Sequence, residues 1–502
     1  MQHSRLLLHM EETSSSNNRP LVAIAGASGF VGSFVRSELN DAFRFRGLTR
    51  SPTVADRGAD AEGNEWRHCD LFSLPKVTDA LQGCDYCIYL VHSMSPSSRL
   101  VQGSFADLDL LLADNFIRAA EAAGVKRVVY LGGLLPEQEE GLSPHLRSRL
   151  EVERVLRSRQ VPVVALRAGL IFGPGGSSFT MLIRLVQRLP VMILPHWVRS
   201  KTHSIDIEDI VRAIKLSLTD PQIEAGAYDM GGHEPMTYRQ MILKTGAILG
   251  KKVRFIDFPI NAFGLSQHWV ALFGGVPISL VGPLLESLTH DLEARPNALL
   301  DKIKKDAIPF DESLRRAVDE KGRPLPNPRQ ETRKKDKPKI RRARLVRSVQ
   351  RMPLPKGWTA EQVSNEYGEW LTRRFWGLLS VTKEEGGELC FNWTYPRVRL
   401  LRLDPSPFST GTNRRKAFYI SGGLLSLSHD PPGRFEFRLF PENGFLVAAI
   451  HGFEPRLPWW IYAQTQARIH LLVMKLFGRH LGRINGQLLK AESTSAAQAD
   501  SL

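Results

Sequence analysis

From Leu21 to about Leu218 the chain alternates short apolar runs with segments whose apolar residues recur every three or four positions. The runs Val22–Ala25, Arg44–Thr49, Trp66–Asp70, Asp85–Val91, Arg127–Leu131 and Val163–Arg167 read as strands. Between the fourth and fifth, Phe105, Leu108, Leu111, Leu112, Phe116, Ala119, Ala120 and Ala123 share one helical face, which Gly124 ends. A shorter helix is predicted from Leu74 to Leu81. Strands alternating with helices predict a doubly wound parallel α/β sheet. From Phe172 to about Asp319 Pro and Gly are more frequent, which predicts a smaller substrate-side lobe. Near the C-terminus the period changes: Phe435–Leu439 alternates as an antiparallel strand does, and Leu446–His451 is an apolar strand. Pro458 to Leu481 reads as one long helix with Ile461, Ile469, Leu472, Val473 and Leu476 inward.

Length and charge divide this pattern into pieces. A chain of 502 residues exceeds one ordinary core. The expected division is a disordered tail over 1–19, an α/β domain over 20–320, a linker over 321–345, a second domain over 346–487 and a disordered tail over 488–502. The net charge of +15 is concentrated: Lys321 to Arg347 holds 12 basic and 2 acidic residues, with Pro324, Pro326, Pro328 and Pro338 among them. Such a run reads as a solvated tether rather than a specific nucleic-acid site, with weak peripheral contact to anionic membranes as its other use. The apolar stretch Ala271 to Leu285 is interrupted by glycine and proline and is too short to span a bilayer. No targeting segment is evident, so a cytoplasmic location is expected. Cys69, Cys84, Cys87 and Cys390 fit a reducing compartment. Cys84 and Cys87 have C-x-x-C spacing but enter a strand with no second pair at zinc-site distance, so no metal is expected.

The chemistry begins at Gly26-Ala-Ser28-Gly29-Phe30-Val31-Gly32. A strand before it, an amphipathic helix after it and three glycines at three-residue intervals make a dinucleotide-binding turn. Gly26 allows the exit from the strand, Gly29 admits the pyrophosphate to the backbone, and Gly32 lets the helix lie close to the strand. The second strand ends in Thr49-Arg50 without a carboxylate for a ribose 2′-hydroxyl. With Arg44 and Arg46 nearby, Arg50 favours NADP(H), NAD(H) being the alternative. Asp70-Leu71 reads as the strand-end pair beside the adenine, the other reading being a cap for the helix from Leu74. His92 follows the fourth strand, where a cofactor-facing loop begins in sheets of this kind. Arg167 and Gly169, followed by Gly173-Pro-Gly175-Gly176, stand at the same sheet edge.

Together with Asp70-Leu71, Leu90-Val-His92, Asn115, Val128-Val-Tyr-Leu-Gly132-Gly133, Leu166-Arg-Ala-Gly169 and His203-Ser-Ile-Asp206, the glycine turn resembles the atypical and extended short-chain dehydrogenase/reductase superfamily. Within it the chain is similar to the NmrA-like and complex-I-subunit-like NAD(P)-binding proteins. The resemblance implies a Ser, and a Tyr with a Lys four residues later, at the substrate. None of the nine tyrosines has a lysine at that spacing. The matching segment, Ser143-Pro-His145-Leu-Arg-Ser-Arg149, offers His145 in place of the Tyr and Arg149 in place of the Lys, with Gly132 or Gly133 where the Ser would be. Imidazole can move a proton near neutral pH, and a guanidinium one helical turn away can bind ribose hydroxyls. An ordinary surface helix is the competing reading.

A second resemblance runs from Arg347-Ser-Val-Gln-Arg-Met-Pro through Tyr419-Ile-Ser-Gly-Gly and Pro458-Trp-Trp-Ile-Tyr to Phe477-Gly-Arg-His-Leu481. It is similar to an uncharacterised C-terminal domain of bacterial reductases, and implies the α+β helix-grip fold of START-like and polyketide-cyclase proteins, with an apolar cavity beneath the long helix. Three functions follow as alternatives: an NADP(H)-dependent reductase of a small apolar carbonyl or quinone, a non-catalytic NADP(H)-binding module, and a carrier of an apolar ligand.

Overall fold

The computed structural model describes residues 19–92, 100–194, 196–257, 287–329, 345–407, 413–427 and 432–499, with isolated positions between 268 and 285. The first tail, all but the start of the linker, and most of the 271–285 stretch therefore lie outside the described residues. Two compact units emerge: residues 1–94 with 109–333, and residues 95–108 with 334–502.

The first unit is built on β1 (Leu21–Ala25), β2 (Arg44–Thr49), β3 (Glu65–His68) and β4 (Tyr86–Tyr89). Next in the chain comes β5 (Leu100–Gln102), which belongs to the second unit. The first sheet is completed by β6 (Arg127–Gly133), β7 (Val163–Ala168) and, after the small lobe's β8 (Leu170–Phe172), β9 (Val191–Leu194) and β10 (Lys201–Asp206), by β11 (Gly226–Met230). Its order is β11-β7-β6-β4-β1-β2-β3, and every pairing is parallel. The six expected strands lie within two residues of their expected bounds, and β11 is a seventh that was not expected. Both faces are covered, so β1 is wholly buried and reads as a continuous apolar run. Val22, Ile24, Ile88, Val129 and Val164 pack with Phe34, Val35, Ile210 and Ile214 from the helices. The order reverses between β1 and β4, and there the carboxyl ends of the strands open the crevice in which α/β proteins bind ligands.

In the small lobe β10 pairs in parallel with β8 and antiparallel with β12 (Pro235–Thr237), and β9 pairs with β13 (Arg254–Asp257). Phe172, Phe179 and Phe310 form its aromatic centre. The expected linker starts later than its charge suggested. Asn327 Nδ2 donates to Ser33 Oγ at 2.9 Å and Arg329 pairs with Glu38 at 2.8 Å, so residues up to 329 are bound to the first unit. Residues 330–344 lie outside the described ones.

The second unit is an eight-stranded sheet in the order β15-β16-β17-β18-β19-β20-β14-β5. Its strands are β14 (Val346–Pro353), β15 (Leu379–Lys383), β16 (Leu389–Trp393), β17 (Val398–Pro405), β18 (Arg415–Gly422), β19 (Gly433–Phe440) and β20 (Phe445–Phe453). β5 joins β14 in parallel and the other neighbours are antiparallel. A helix from Ala360 to Arg374, opened by a Thr359/Gln362 capping box, and a long terminal helix cover one face. Tyr367, Phe435, Phe437 and Phe477 meet at ring distances of 4.9–6.3 Å under the helices. An open groove of about 620 Å³ runs beside the long helix, between β14 and residues Leu471 to Gly482. The single helix expected over 458–481 is two: Trp459–Gln464, a break at Thr465, and Gln466–Ala499, which takes in most of the expected disordered tail. Its core side is centred on Val473, Met474, Phe477 and Leu481, so Ile469 and Leu472 face outward, against expectation.

Candidate active site

The glycine turn has the geometry a dinucleotide requires. Gly26 sits at φ +93° and lies so near β4 that a Cβ there would come 3.2 Å from the Leu90 carbonyl oxygen. A Cβ at Gly32 would fall 2.5 Å from the Gly26 oxygen and 2.7 Å from Ala27 Cα, which leaves only glycine at this helix–strand contact. The helix Phe30–Glu38 has neither a side-chain cap nor an acidic residue in its first turn. Its first N–H groups and the positive end of its dipole thus carry no internal counter-anion, the arrangement that fits a pyrophosphate. Ser28 and Val31 lie in and just after this turn, and the Phe30 ring packs toward Gly173 and Gly176.

Of the three arginines near β2, only Arg50 stands at its carboxyl end, exposed. Arg46 is buried, bonded to Glu65 at 2.5 Å and to the Ala80 and Gln82 carbonyls, while Arg44 Nε donates to the Arg19 carbonyl. Asp70 Oδ1 accepts from Phe72 N at 3.2 Å, and Ser73 is the N-cap residue of the helix from Leu74, so Asp70 shapes the turn and does not cap the helix. The Leu71 carbonyl accepts from Asn115 Nδ2 at 2.9 Å, tying this turn to the central helix. Cys84 and Cys87 are buried thiols in free form; burial pushes Cys84 up to about 11, and no metal-holding cluster occurs among the described residues.

Two expected cofactor contacts are otherwise engaged. Arg167 donates twice to Glu153 at 2.7 Å and lies 3.8 Å from Asp229, a pairing that a half-buried guanidinium needs and that turns it from the crevice. Gly169 packs against β10, where a Cβ would fall 2.1 Å from the His203 carbonyl oxygen.

His92, His145 and Arg149, 57 residues apart at the extremes, converge at the carboxyl ends of β4 and β6. Ser143 caps the helix Pro144–Leu156 by accepting from Leu146 N, which orients the turn carrying His145. Ser143 Oγ lies 3.1 Å from Ser287 Oγ, and Ser287 Oγ lies 3.0 Å from His145 Nδ1. His145 Nε2 is 3.3 Å from His92 Nε2, and His92 Nδ1 is 2.6 Å from the carboxylate of Asp109, which is 1% exposed. One assignment satisfies these four links: Ser143 donates to Ser287, Ser287 to His145, His145 to His92, and His92 Nδ1–H to Asp109; Arg149 Nη1, 3.2 Å from His92 Nδ1, then meets an N–H and makes no hydrogen bond there. Arg149 does not reach out as the missing lysine would. Its guanidinium donates to the Leu131 carbonyl at 3.1 Å, stands 3.9 Å from Asp109 and lies over the Tyr130 ring, so it braces the carboxylate. Asp109 and Ser287 were missed in the sequence. The one available signal was a carboxylate set into the apolar run Leu108-Asp109-Leu110-Leu111.

Burial, followed by His92 and Arg149, pushes His145 down to about 3. It is therefore neutral when folded but takes a proton near 6.5 when unfolded, so its contribution to stability, full above 6.5, is lost as pH falls toward 3. His451 and His470, both pushed down to about 4 by burial, act in the same direction. Asp206, pushed up to about 6 by burial, acts oppositely, binding its proton in the folded state first. His203, pushed down by burial, acts with the other three histidines, and these four groups against Asp206 predict a urea midpoint that declines from pH 7 to pH 4.5. A midpoint constant over that range would show that these imidazoles are not held neutral by the fold.

Residues 26–178 match the NAD(P)H-binding family model. The auxiliary protein GraX of Staphylococcus aureus is 29% identical over 115 residues, which span 23% of this chain and only 37% of that protein. A ceramide reductase of Caulobacter vibrioides is 26% identical over 284 residues, 55% of this chain and 87% of that protein. The solved triphenylmethane reductase of Citrobacter sp., complexed with NADP(H), aligns with a TM-score of 0.46 at 19% identity over 60% of this chain and all of that one. No helix among the described residues is long and apolar enough to cross a membrane. The segment that matches this family model contains His92, Asp109, His145 and Arg149 together with the glycine turn.

Proposed function

We propose that the protein is an NADP(H)-dependent reductase of a small apolar carbonyl or quinone, in which a histidine pair replaces the tyrosine and lysine of its superfamily. The observation that carries this reading is the directional chain from Ser143 to Asp109, placed at the crevice side of a dinucleotide-binding sheet. The glycine turn would hold the pyrophosphate and Arg50 the 2′-phosphate, and the bound nicotinamide would supply a hydride. The residues of the chain manage the proton. The serines are buried, whereas both imidazoles are partly open. Every ring nitrogen is already engaged, so a substrate oxygen enters by replacing one link, and the longest is the 3.3 Å contact between the two Nε2 atoms. An oxygen lodged there accepts from His145 Nε2–H, and from His92 only after His92 Nε2 has taken up a proton from solvent; Asp109 stabilises that imidazolium until the proton passes to the oxygen. The second unit, a strand and helix followed by six strands and a long helix, has the element order of a helix-grip domain, and its groove is a place for an apolar ligand.

NADPH oxidation with a panel of quinones, aldehydes and azo compounds tests this reading. NADPH binding without turnover of any of them would favour the non-catalytic module. Arg50→Ala is expected to weaken NADPH by about 1–3 kcal/mol, as the loss of a charge-assisted contact does, and to leave NADH unchanged. Calorimetric titration of both nucleotides checks this, and equal affinities in the unmutated protein would remove Arg50 from the site.

A further inference from the structure

We infer that one end of the second unit docks on an anionic lipid surface. This inference is independent of the reductase reading. Trp376 is 87% exposed, Tyr395 81%, Trp460 73%, Ile469 58%, Leu472 57% and Leu424 50%, far beyond what single surface apolar residues need explaining. Backbone hydrogen bonds place their loops side by side. Thr394 N donates to the Leu378 carbonyl, Leu424 N to that of Arg399, and Arg456 N to that of Leu425, joining the turn after the helix Ala360–Arg374, the β16–β17 turn, the segment after β18 and the entry to Trp459–Gln464. Trp393 Nε1 adds a bond to the Tyr395 carbonyl, fixing the aromatic turn. Two tryptophans and a tyrosine with leucine and isoleucine beside them are the composition of a membrane interface, where ring bodies enter the headgroup layer and polar tips stay wet.

Charge selects the occupant. Between Glu454 and Glu492 the chain has no acidic residue, while Arg456, Arg468, Lys475, Arg479, Arg483 and Lys490 punctuate it. On the terminal helix Arg468, Leu472, Lys475, Arg479 and Arg483 follow one another at three- and four-residue steps, a stripe on the side opposite the Phe477 and Leu481 core. Exposed Arg374 and Arg397 flank Trp376 and Tyr395 on the other side of the patch. Among the described residues no carboxylate pairs with Arg374, Arg397, Arg456 or Arg468. A bilayer of anionic phospholipid meets an aromatic and basic surface without the residue-by-residue matching that a protein partner would need.

The test is co-sedimentation of the full chain with vesicles of phosphatidylglycerol and phosphatidylcholine, against vesicles of phosphatidylcholine alone. Binding is expected only to the anionic vesicles, weakening at high salt. Trp460→Ser with Leu472→Ser should reduce it at least tenfold, and Arg397→Glu with Arg456→Glu equally. Because all four side chains are exposed, each pair should keep the circular dichroism and NADPH affinity of the parent. Absence of binding to anionic vesicles overturns the inference. So does binding that survives both pairs of substitutions, or a concentration-dependent dimer in the absence of vesicles that either pair abolishes.

Discussion

His145→Ala is expected to lower NADPH-dependent turnover by about 10²-fold or more while changing NADPH affinity by less than about twofold, because a group that moves a proton acts on the transition state. The replaced imidazole is the middle member of the chain from Ser287 to His92. Asp109→Asn should produce a loss of similar size by a different route. An amide at 2.6 Å from His92 Nδ1 no longer stabilises an imidazolium and can turn the ring to its other tautomer. Asp109 is a positioning residue, and its variant should shift the acid limb of the pH–rate profile, which a purely structural defect would leave in place. Initial rates with NADPH and the best substrate of the panel, measured beside NADPH titrations, decide the matter. An activity that survives His145→Ala would assign the proton to another group, and loss of NADPH binding in that variant would place the histidine in the cofactor site instead.

The glycines offer a second large effect with an internal control. Gly32→Ala should weaken NADPH binding by about 10²-fold or more and destabilise the fold by roughly 1–3 kcal/mol, the usual cost of overpacking. Its new Cβ would lie 2.5 Å and 2.7 Å from backbone atoms of the glycine turn, which cannot move without moving the anion site itself. Gly29→Ala, whose Cβ would meet only the Gly26 oxygen at 3.2 Å, should be milder on both counts. Thermal melts with and without NADPH give both quantities. If Gly32→Ala and Gly29→Ala prove equal, helix-to-strand closeness does not govern the cofactor.

β1, β4, β6 and β7 were legible because a strand covered on both faces announces itself as an apolar run, and Gly124 marks the end of the helix between the fourth and fifth strands; β11, Gly-Ala-Tyr-Asp-Met and half open, gave no such run and was not expected. The histidine pair was half legible. His145 and His92 stood out as single residues at sheet-edge positions, but only the chain's return brings Ser287 and Asp109 to them, and no local pattern encodes that meeting. Arg149 and Arg167 show the converse. Their positions were foreseen and their occupations were not, because a buried guanidinium takes the nearest carboxylate, here Asp109 and Glu153. The outward turn of Ile469 and Leu472 escaped notice because a helix with apolar residues on most sides has no sequence-level inside; His470, Val473 and Phe477 defined it instead.

β5 has a bearing on how the chain becomes a protein. Three residues, Leu100–Gln102, complete a sheet whose other seven strands begin only at Val346, so the second unit closes across more than two hundred intervening positions. Such a closure comes late in folding, since its loop entropy is lost before its hydrogen bonds are gained. The chain also crosses between the units three times, after Met94, after Leu108 and after Arg333. A fragment starting near residue 346 would therefore expose the edge of β14, with Val346 to Ser348 lacking the strand they pair with. Severing the chain at the basic segment would divide the covalent backbone without dividing the domain, and the second unit is best made with the first attached.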